Sequence, residues 1–434
     1  MNDLLSKIEK KEAKIGIIGL GYVGLPLVSE FLSKGFEVIG IDKDQSKVDS
    51  LNNKKSYIAH VNSDFLFRYL SKSFSVSTEI SSLESVDVII MCLPTPLKKN
   101  FQPEMKYVFD TIDEMTPFLH KGQALSLEST TYPGTTSEDI YEKLKKTQIK
   151  IGDNFFLIYS PEREDPGNKI FKNHQIPKIV SGHTENCLQV GIKIYDSIVD
   201  KVVAVSSTKT AELTKLLENI HRAVNIGLVN EMKIVSEALD VDIYEVIDAA
   251  ATKPFGFTPY YPGPGIGGHC IPIDPFYLTW KAKQLGVHTK FIELAGEINN
   301  KMPLKVVDKG ISILEKENLH IENAKILLLG LAYKKDVDDM RESPSIKIME
   351  LFEKKGAEVS YSDPYISSFP KTRDYDFDKK SIQISPENLK KFDLVIITTD
   401  HSSFDYEMIR SEANIILDTR GIYREKISKK IYKA

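Results

Sequence analysis

Cysteine is scarce in this chain. Only Cys92, Cys187 and Cys270 occur in 434 residues. Their odd number and wide spacing give no disulfide framework and no Cys-x-x-Cys metal pair, so a reducing cytoplasm is expected and no metal site. Long apolar runs are missing as well. No stretch approaches the roughly 20 residues that span a bilayer, so no membrane partner is expected. The opening residues, Met1 to Glu12, are too charged for a signal peptide. Basic blocks are also absent. Lys and Arg number 57 against 61 Asp and Glu, a net charge of −4 that offers nucleic acid no footprint. There is no repeat of solenoid length and no low-complexity tract.

What remains is a globular composition, 41% hydrophobic and 27% charged, long enough for two or three domains. The first third has a recognisable order. Lys14-Ile-Gly-Ile-Ile18 reads as a strand and runs straight into Gly19-Leu-Gly21-Tyr22-Val23-Gly24. Val28 to Lys34 reads as a helix ended by Gly35. Glu37-Val-Ile-Gly-Ile41 reads as a second strand with Asp42 at its end. This is the strand–Gly-x-Gly-x-x-Gly–helix–strand–acid unit that binds a dinucleotide. Gly19 permits the turn, Gly21 admits the pyrophosphate, and Gly24 lets helix and strand pack closely. The helix N-terminus offers N–H groups and a positive dipole end to phosphate. Asp42 would accept from ribose hydroxyls and repel a 2′-phosphate, which favours NAD, although Lys43 beside it weakens that inference.

Three further strands end in polar clusters. Val86 to Leu93 leads to Pro94-Thr95-Pro96, Ala124 to Leu127 to Glu128-Ser-Thr130, and Phe155 to Tyr159 to Ser160-Pro-Glu162-Arg163. Ligands of an open α/β sheet sit beyond the strand C-termini, which makes Thr95, Thr130 and Glu162 candidates. Each alone reads equally as ordinary loop chemistry. Cys92 reads as a core residue within its strand. Cys187, at a helix start, suggests no role.

The middle begins with Thr208 to Leu239, free of proline and with Leu213, Leu216, Leu217, Ile220, Val224, Leu228 and Met232 at helical spacing. Lys215 and Asn219 lie four apart on one face and could donate to a developing oxyanion, or could be a routine solvated pair. Asp242 to Pro254 reads as another helix. An aromatic Pro/Gly segment leads into Gly263-Pro-Gly-Ile-Gly267-Gly-His-Cys270-Ile-Pro-Ile-Asp274. A thiol in a bed of glycines suits attack on a carbonyl carbon, and equally suits an inert turn. In the last third, Ala324 to Gly330, a helix from Ser345 to Lys355, and strands at Glu358–Tyr361, Leu394–Thr398 and Ile415–Asp418 outline a second doubly wound unit. Its first turn lacks the second and third glycines, so another dinucleotide is not expected. Lys334, Lys335, Arg341 and Arg420 stand at turns where they could hold phosphate oxygens.

This order of motifs resembles the UDP-glucose/GDP-mannose dehydrogenase family over nearly the whole chain. It comprises the NAD fold, the Ser-Thr…Pro-Gly and Pro-Glu loops, Lys-x-x-x-Asn, the Gly-rich Cys loop with Asp four residues on, and Lys-Lys-Asp…Arg-Glu-Ser. The Thr252–Leu278 stretch looks most like the UDP-N-acetylglucosamine 6-dehydrogenases. The resemblance implies two Rossmann-like doubly wound α/β domains joined by a central long-helix domain, over residues 1–205, 206–305 and 306–434. It implies a four-electron oxidation at C6 of a UDP-sugar. Cys270 would hold the aldehyde as a thiohemiacetal and then a thioester, which water releases as the uronate for surface polysaccharide synthesis. Lys215 and Asn219 would stabilise oxyanions. Asp274, Thr130 and Glu162 would handle protons and water, with the base unassigned between the carboxylates. NAD would contact Gly19, Gly21, Tyr22, Val23, Gly24, Asp42, Thr95, Thr130 and Arg341. The sugar nucleotide would contact Glu162, Arg163, Lys215, Asn219, Tyr261, Gly267, Lys334 and Arg420.

Two departures stand out. Lys253-Pro-Phe-Gly-Phe257 lacks the arginine usual before the Cys loop, and Glu162 is followed by Arg163-Glu-Asp-Pro-Gly. Both argue against glucose. The galacto- and manno-epimers of the N-acetylhexosamine stay open. A two-electron β-hydroxyacid dehydrogenase would need neither Cys270 nor the last third, and a non-catalytic sensor would not need the full set of reactive residues. The long apolar helix points to a homodimer.

Overall fold

The computed structural model describes residues 1–58, 61, 63–98, 100–163, 173–369, 375, 377–424 and 428–433. The chain forms two compact units, one of Met1–Glu218 with Phe276–Val287, the other of Asn219–Pro275 with His288–Ala434.

The first unit is built on an eight-stranded sheet. Its strands are β1 (Lys14–Ile18), β2 (Glu37–Ile41), β3 (Phe74–Ser77), β4 (Val88–Met91), β5 (Ala124–Leu127), β6 (Phe156–Tyr159), β7 (Lys178–Gly182) and β8 (Val202–Ala204). They lie in the order β3-β2-β1-β4-β5-β6-β7-β8. Neighbours are parallel, with Ile15 opposite Val38 and Val88, except that β7 runs antiparallel to β6. Strands β4, β5 and β6 are buried at every position, as a sheet covered on both faces requires. Strand order reverses between β1 and β4, and the crevice beyond that switch point is where such sheets bind ligands.

The second unit carries a five-stranded parallel sheet. Its strands are β9 (Lys325–Leu329), β10 (Glu358–Ser362), β11 (Leu394–Ile397), β12 (Ile416–Asp418) and β13 (Ile431–Lys433), in the order β10-β9-β11-β12-β13. Ahead of it come the later turns of helix Thr208–Ala238, helix Ile243–Ala251 and the 27-residue helix Lys290–Lys316. Within this unit the long helices meet closely. A Cβ at Gly227 would stand 3.3 Å from Ala295, and buried Asn230 donates to Asn299 Oδ1 at 2.9 Å.

Several expectations need correcting. The first glycine-turn helix spans Gly24–Ser33, so it starts four residues before Val28. Pro26 is no obstacle, because a residue in the first turn needs no N–H for the helix ladder. Cys92 lies one residue past β4 and is half-buried against the core rather than inside the strand. Leu213, Leu217, Leu228 and Met232 are exposed, whereas Leu216 and Ile220 are buried. The apolar periodicity of Thr208–Ala238 therefore contains an inward face and an outward one.

Candidate active site

The glycine turn of the first unit shows three different constraints. Gly19 has φ +92°, and a Cβ there would lie 2.3 Å from the Cys92 carbonyl oxygen. At Gly24 a Cβ would stand 1.9 Å from the Gly19 carbonyl oxygen. Both glycines are therefore demanded by the chain itself. Gly21 differs, because a Cβ there meets nothing within 4 Å. Tyr22 and Val23 are half-buried and lead into the N-terminus of the helix. Asp42 is buried and orders the turn: Oδ2 accepts from Leu20 N–H at 2.9 Å and Oδ1 from Asp44 N–H at 3.0 Å. Lys47 is ion-paired to Oδ2 at 2.9 Å, while Lys43 pairs with Glu114 instead.

The strand-end loops beyond β4 and β5 are tied together. Ser129 Oγ accepts from Leu93 N–H at 2.9 Å and donates to the Leu93 carbonyl at 2.8 Å. Thr95 is buried and Thr130 half-buried beside this link. The loop after Thr130 is fastened to helix Thr208–Ala238 by Glu212, which accepts from Gly134 N–H at 2.6 Å and Thr136 N–H at 2.9 Å. Burial pushes the Glu212 carboxyl up to about 7, although those N–H groups oppose it.

Glu162 follows β6 and lies in a buried ionic group. Lys178, the first residue of β7, donates to Glu162 Oε2 at 3.0 Å and to Glu128 Oε2 at 2.6 Å. Tyr195 donates to Glu128 Oε1 at 2.5 Å. Burial pushes Glu162 up, but Lys178 and then Lys215 outweigh it and hold the carboxyl below its ordinary value. Glu128 is pushed up to about 7 by burial, against the pull of Lys178. Lys215 stands near enough to Glu162 to favour its ionised form. Arg163 turns back on its own unit, to Glu218 at 2.6 Å and the Pro177 carbonyl at 2.8 Å. Residues 164–167 of this loop lie outside the described residues. Sequence reasoning missed Glu128 and Lys178 as members of this group, and Glu212 as the loop's latch.

In the second unit Cys270 is half-buried. Its carbonyl accepts from Ile273 N–H at 3.1 Å and Asp274 N–H at 2.8 Å, a turn that feeds helix Asp274–Gln284. Asp274 is buried, and its Oδ2 accepts from Asn219 Nδ2 at 2.5 Å. Cys270, Asp274 and Asn219 therefore form one cluster. The glycines before Cys270 serve chain packing: a Cβ at Gly267 would stand 2.6 Å from Tyr333 Cβ, and Gly268 donates to the Arg341 carbonyl at 2.9 Å. Arg341 grips Asp339 with Nη2 at 2.7 Å. Arg420 donates from Nε to the Thr398 carbonyl at 2.8 Å and packs on Gly263. Tyr261 donates to Asp248 at 2.6 Å. Lys334 is half-buried in the loop after β9.

Comparison with known proteins bears directly on these residues. Residues 13–199 match the NAD binding domain of the UDP-glucose/GDP-mannose dehydrogenase family, 209–301 its central domain and 327–425 its UDP binding domain. The chain belongs to the UDP-glucose/GDP-mannose dehydrogenase family. It is similar to UDP-N-acetyl-D-glucosamine 6-dehydrogenase of Pseudomonas aeruginosa, at 32% identity over 91% of this chain and 92% of that one. It is equally similar to UDP-N-acetyl-D-mannosamine dehydrogenase of Methanocaldococcus jannaschii, at 32% over 98% and 97%. The solved UDP-D-ManNAc dehydrogenase of Pyrococcus horikoshii matches with TM-score 0.86 and 31% identity over 97% of this chain and 98% of that one.

Membership of the family makes the protein an NAD-dependent UDP-sugar dehydrogenase, an oxidoreductase. The first unit fits the cofactor. Gly21 leaves the turn open where a pyrophosphate would approach, and Asp42 uses three of its roughly four acceptor positions, leaving one for a ribose hydroxyl. Among the described residues no group of His, Cys, Asp and Glu is arranged to hold a metal, and no helix is long and apolar enough to cross a membrane.

Proposed function

We propose that the protein oxidises C6 of a UDP-N-acetylhexosamine, UDP-N-acetylglucosamine foremost, to the uronate in two successive oxidations. The Cys270–Asp274–Asn219 cluster carries this reading, because one tight turn joins a half-buried cysteine to a buried carboxylate that accepts from an amide donor. Bound NAD supplies the hydride acceptor. Cys270 Sγ adds to the C6 aldehyde carbon as a thiohemiacetal, and loss of the second hydride leaves a thioester. Water attacks the thioester carbonyl and releases the uronate and the thiol. Glu162, held ionised, is the base for that water, since Asp274 is committed to Asn219. Lys215 and Asn219 stabilise the oxyanions, and Thr130 positions the water. Thr95 and Arg341 complete the NAD contacts. Arg163, Tyr261, Gly267, Lys334 and Arg420 hold the sugar nucleotide.

The division into residues 1–205, 206–305 and 306–434 belongs to the same reading, as does a cytoplasmic enzyme that serves polysaccharide synthesis. So does a homodimer, in which the outward apolar face of Thr208–Ala238 meets a second copy. The deciding experiment offers UDP-N-acetylglucosamine, UDP-N-acetylmannosamine, UDP-N-acetylgalactosamine, UDP-glucose and GDP-mannose, and counts NADH per sugar consumed. Two NADH per sugar and the highest kcat/KM for UDP-N-acetylglucosamine are expected. One NADH would overturn the thioester route, and a better epimer would overturn the substrate.

A further inference from the structure

Lys178 has a position that the reaction as described does not explain. Its ammonium is buried, with 7% of the side chain exposed, and it is shared by two carboxylates. Glu128 is fully buried and Glu162 has 21% of its side chain exposed. Burying three charges for stability alone is poor economy, because apolar side chains of similar volume often serve as well or better. The arrangement is also asymmetric. Glu128 is capped by Tyr195, itself joined to Ser126 at 2.7 Å, and has no outlet. Glu162 sits at the strand-end edge, next to Lys215, with Arg163 N–H on its Oε1 at 2.6 Å. Glu30 faces it across a small cleft that Arg163, Pro177 and Lys178 also line.

We propose that Lys178 is a positioning residue for the acid–base step, a single buried cation divided between Glu128 and Glu162 that keeps Glu162 ionised and aimed. Glu128 holds the same ammonium from the closed side and fixes where it stands against Glu162. The proposal rests on Glu162 being the base. Glu162 gains a proton from the attacking water and later gives it up to solvent, while Lys178 keeps its own.

The test measures kcat/KM against pH with NAD and UDP-N-acetylglucosamine for wild type, K178M, K178R and E128Q. Removing a cation at this range should raise the acid limb by about 1–3 pH units, so K178M loses activity below neutrality and regains it at alkaline pH. K178R should restore the limb, and E128Q, which replaces a carboxyl already neutral across that limb, should leave it in place. Infrared spectra supply a readout independent of turnover. At pH 7, K178M should gain protonated-carboxyl absorption over wild type, from Glu162 and from buried Glu128, and the Glu162 part should disappear in K178M/E162Q. If K178M does not fold, K178Q takes its place, and an unmoved limb there overturns the proposal. Equal loss at every pH in a folded K178M, or no new infrared band, also overturns it. A new band with an unmoved acid limb overturns Glu162 as the base and leaves its hold by Lys178 standing.

Discussion

Single residues separate what the chain needs from what a ligand needs. Gly24 faces the Gly19 carbonyl at a distance no Cβ tolerates, whereas Gly21 faces nothing of the chain. Gly24→Ala should therefore lower Tm by several degrees, about 1–3 kcal/mol by the usual cost of overpacking. Gly21→Ala should leave Tm within about 1–2 °C and raise KM for NAD about tenfold or more, since a methyl would crowd the pyrophosphate. Equal effects of the two on Tm would refute this division. Cys270→Ser should abolish uronate formation while NAD binding by calorimetry survives, and full uronate yield would remove the thioester. These residues were legible in the sequence because each lies inside a local motif. Lys178 was not. Its partners lie 50 and 16 residues away, and at the head of a short apolar strand it reads as an ordinary solvent-facing lysine.

At the scale of elements, strands announced themselves where apolar residues run together between glycine and polar breaks. The bounds of β1, β2 and β5 coincide with their apolar runs. Phe74–Ser77, Lys178–Gly182, Val202–Ala204 and Ile431–Lys433 were missed, because strands of three to five residues carry too little periodicity. Helix Thr208–Ala238 was legible in length but not in its two faces, since a count of apolar residues cannot say which side the unit covers. Leu228, Met232 and Val235 recur on its exposed side, and Leu239 just past its end is exposed as well. Leu228→Glu with Met232→Glu should convert a dimer to monomer in light scattering, and a wild-type monomer would already refute the homodimer. The same helix offers a pH prediction through Glu212. Its folded pKa of about 7 lies above the ordinary 4.5, so the folded state keeps a proton that the unfolded state releases. That contribution is complete below 4.5 and is lost as pH rises through about 7. Wild-type Tm should fall across that window more steeply than the Tm of Glu212→Gln, and parallel curves would exclude the effect.

For the whole molecule, the two sheets repeat one device with different ends. Asp42 closes the first glycine turn and retains an acceptor position. Asp363, at the equivalent strand end of the second sheet, accepts from Leu331, Ala332, Tyr365 and Ile366 N–H groups. Asp336 N–H donates to His401 Nδ1, which leaves the ring proton on Nε2 facing Asp363 at 3.1 Å. The second carboxylate is thus committed to its own turn. Asp363→Asn should cost about 2–4 kcal/mol in unfolding free energy, with KM for NAD unchanged in what remains folded. An NAD-specific defect would contradict that purely internal role.

One consequence follows from the direction of β7. A parallel sheet presents only carboxyl ends of strands at its ligand edge. Because β7 runs against β6, with Tyr159 opposite Ser181, it delivers its amino end there instead. Counting on along the pair sets residue 178 across from residue 162. The reversal of β7, which β8 follows in parallel, thereby carries a lysine to an edge that β1 to β6 supply with strand ends such as Glu128 and Glu162. Strand faces alternate with each residue, so deleting one residue between Ile179 and Ser181 would turn Lys178 to the opposite face and separate it from both carboxylates.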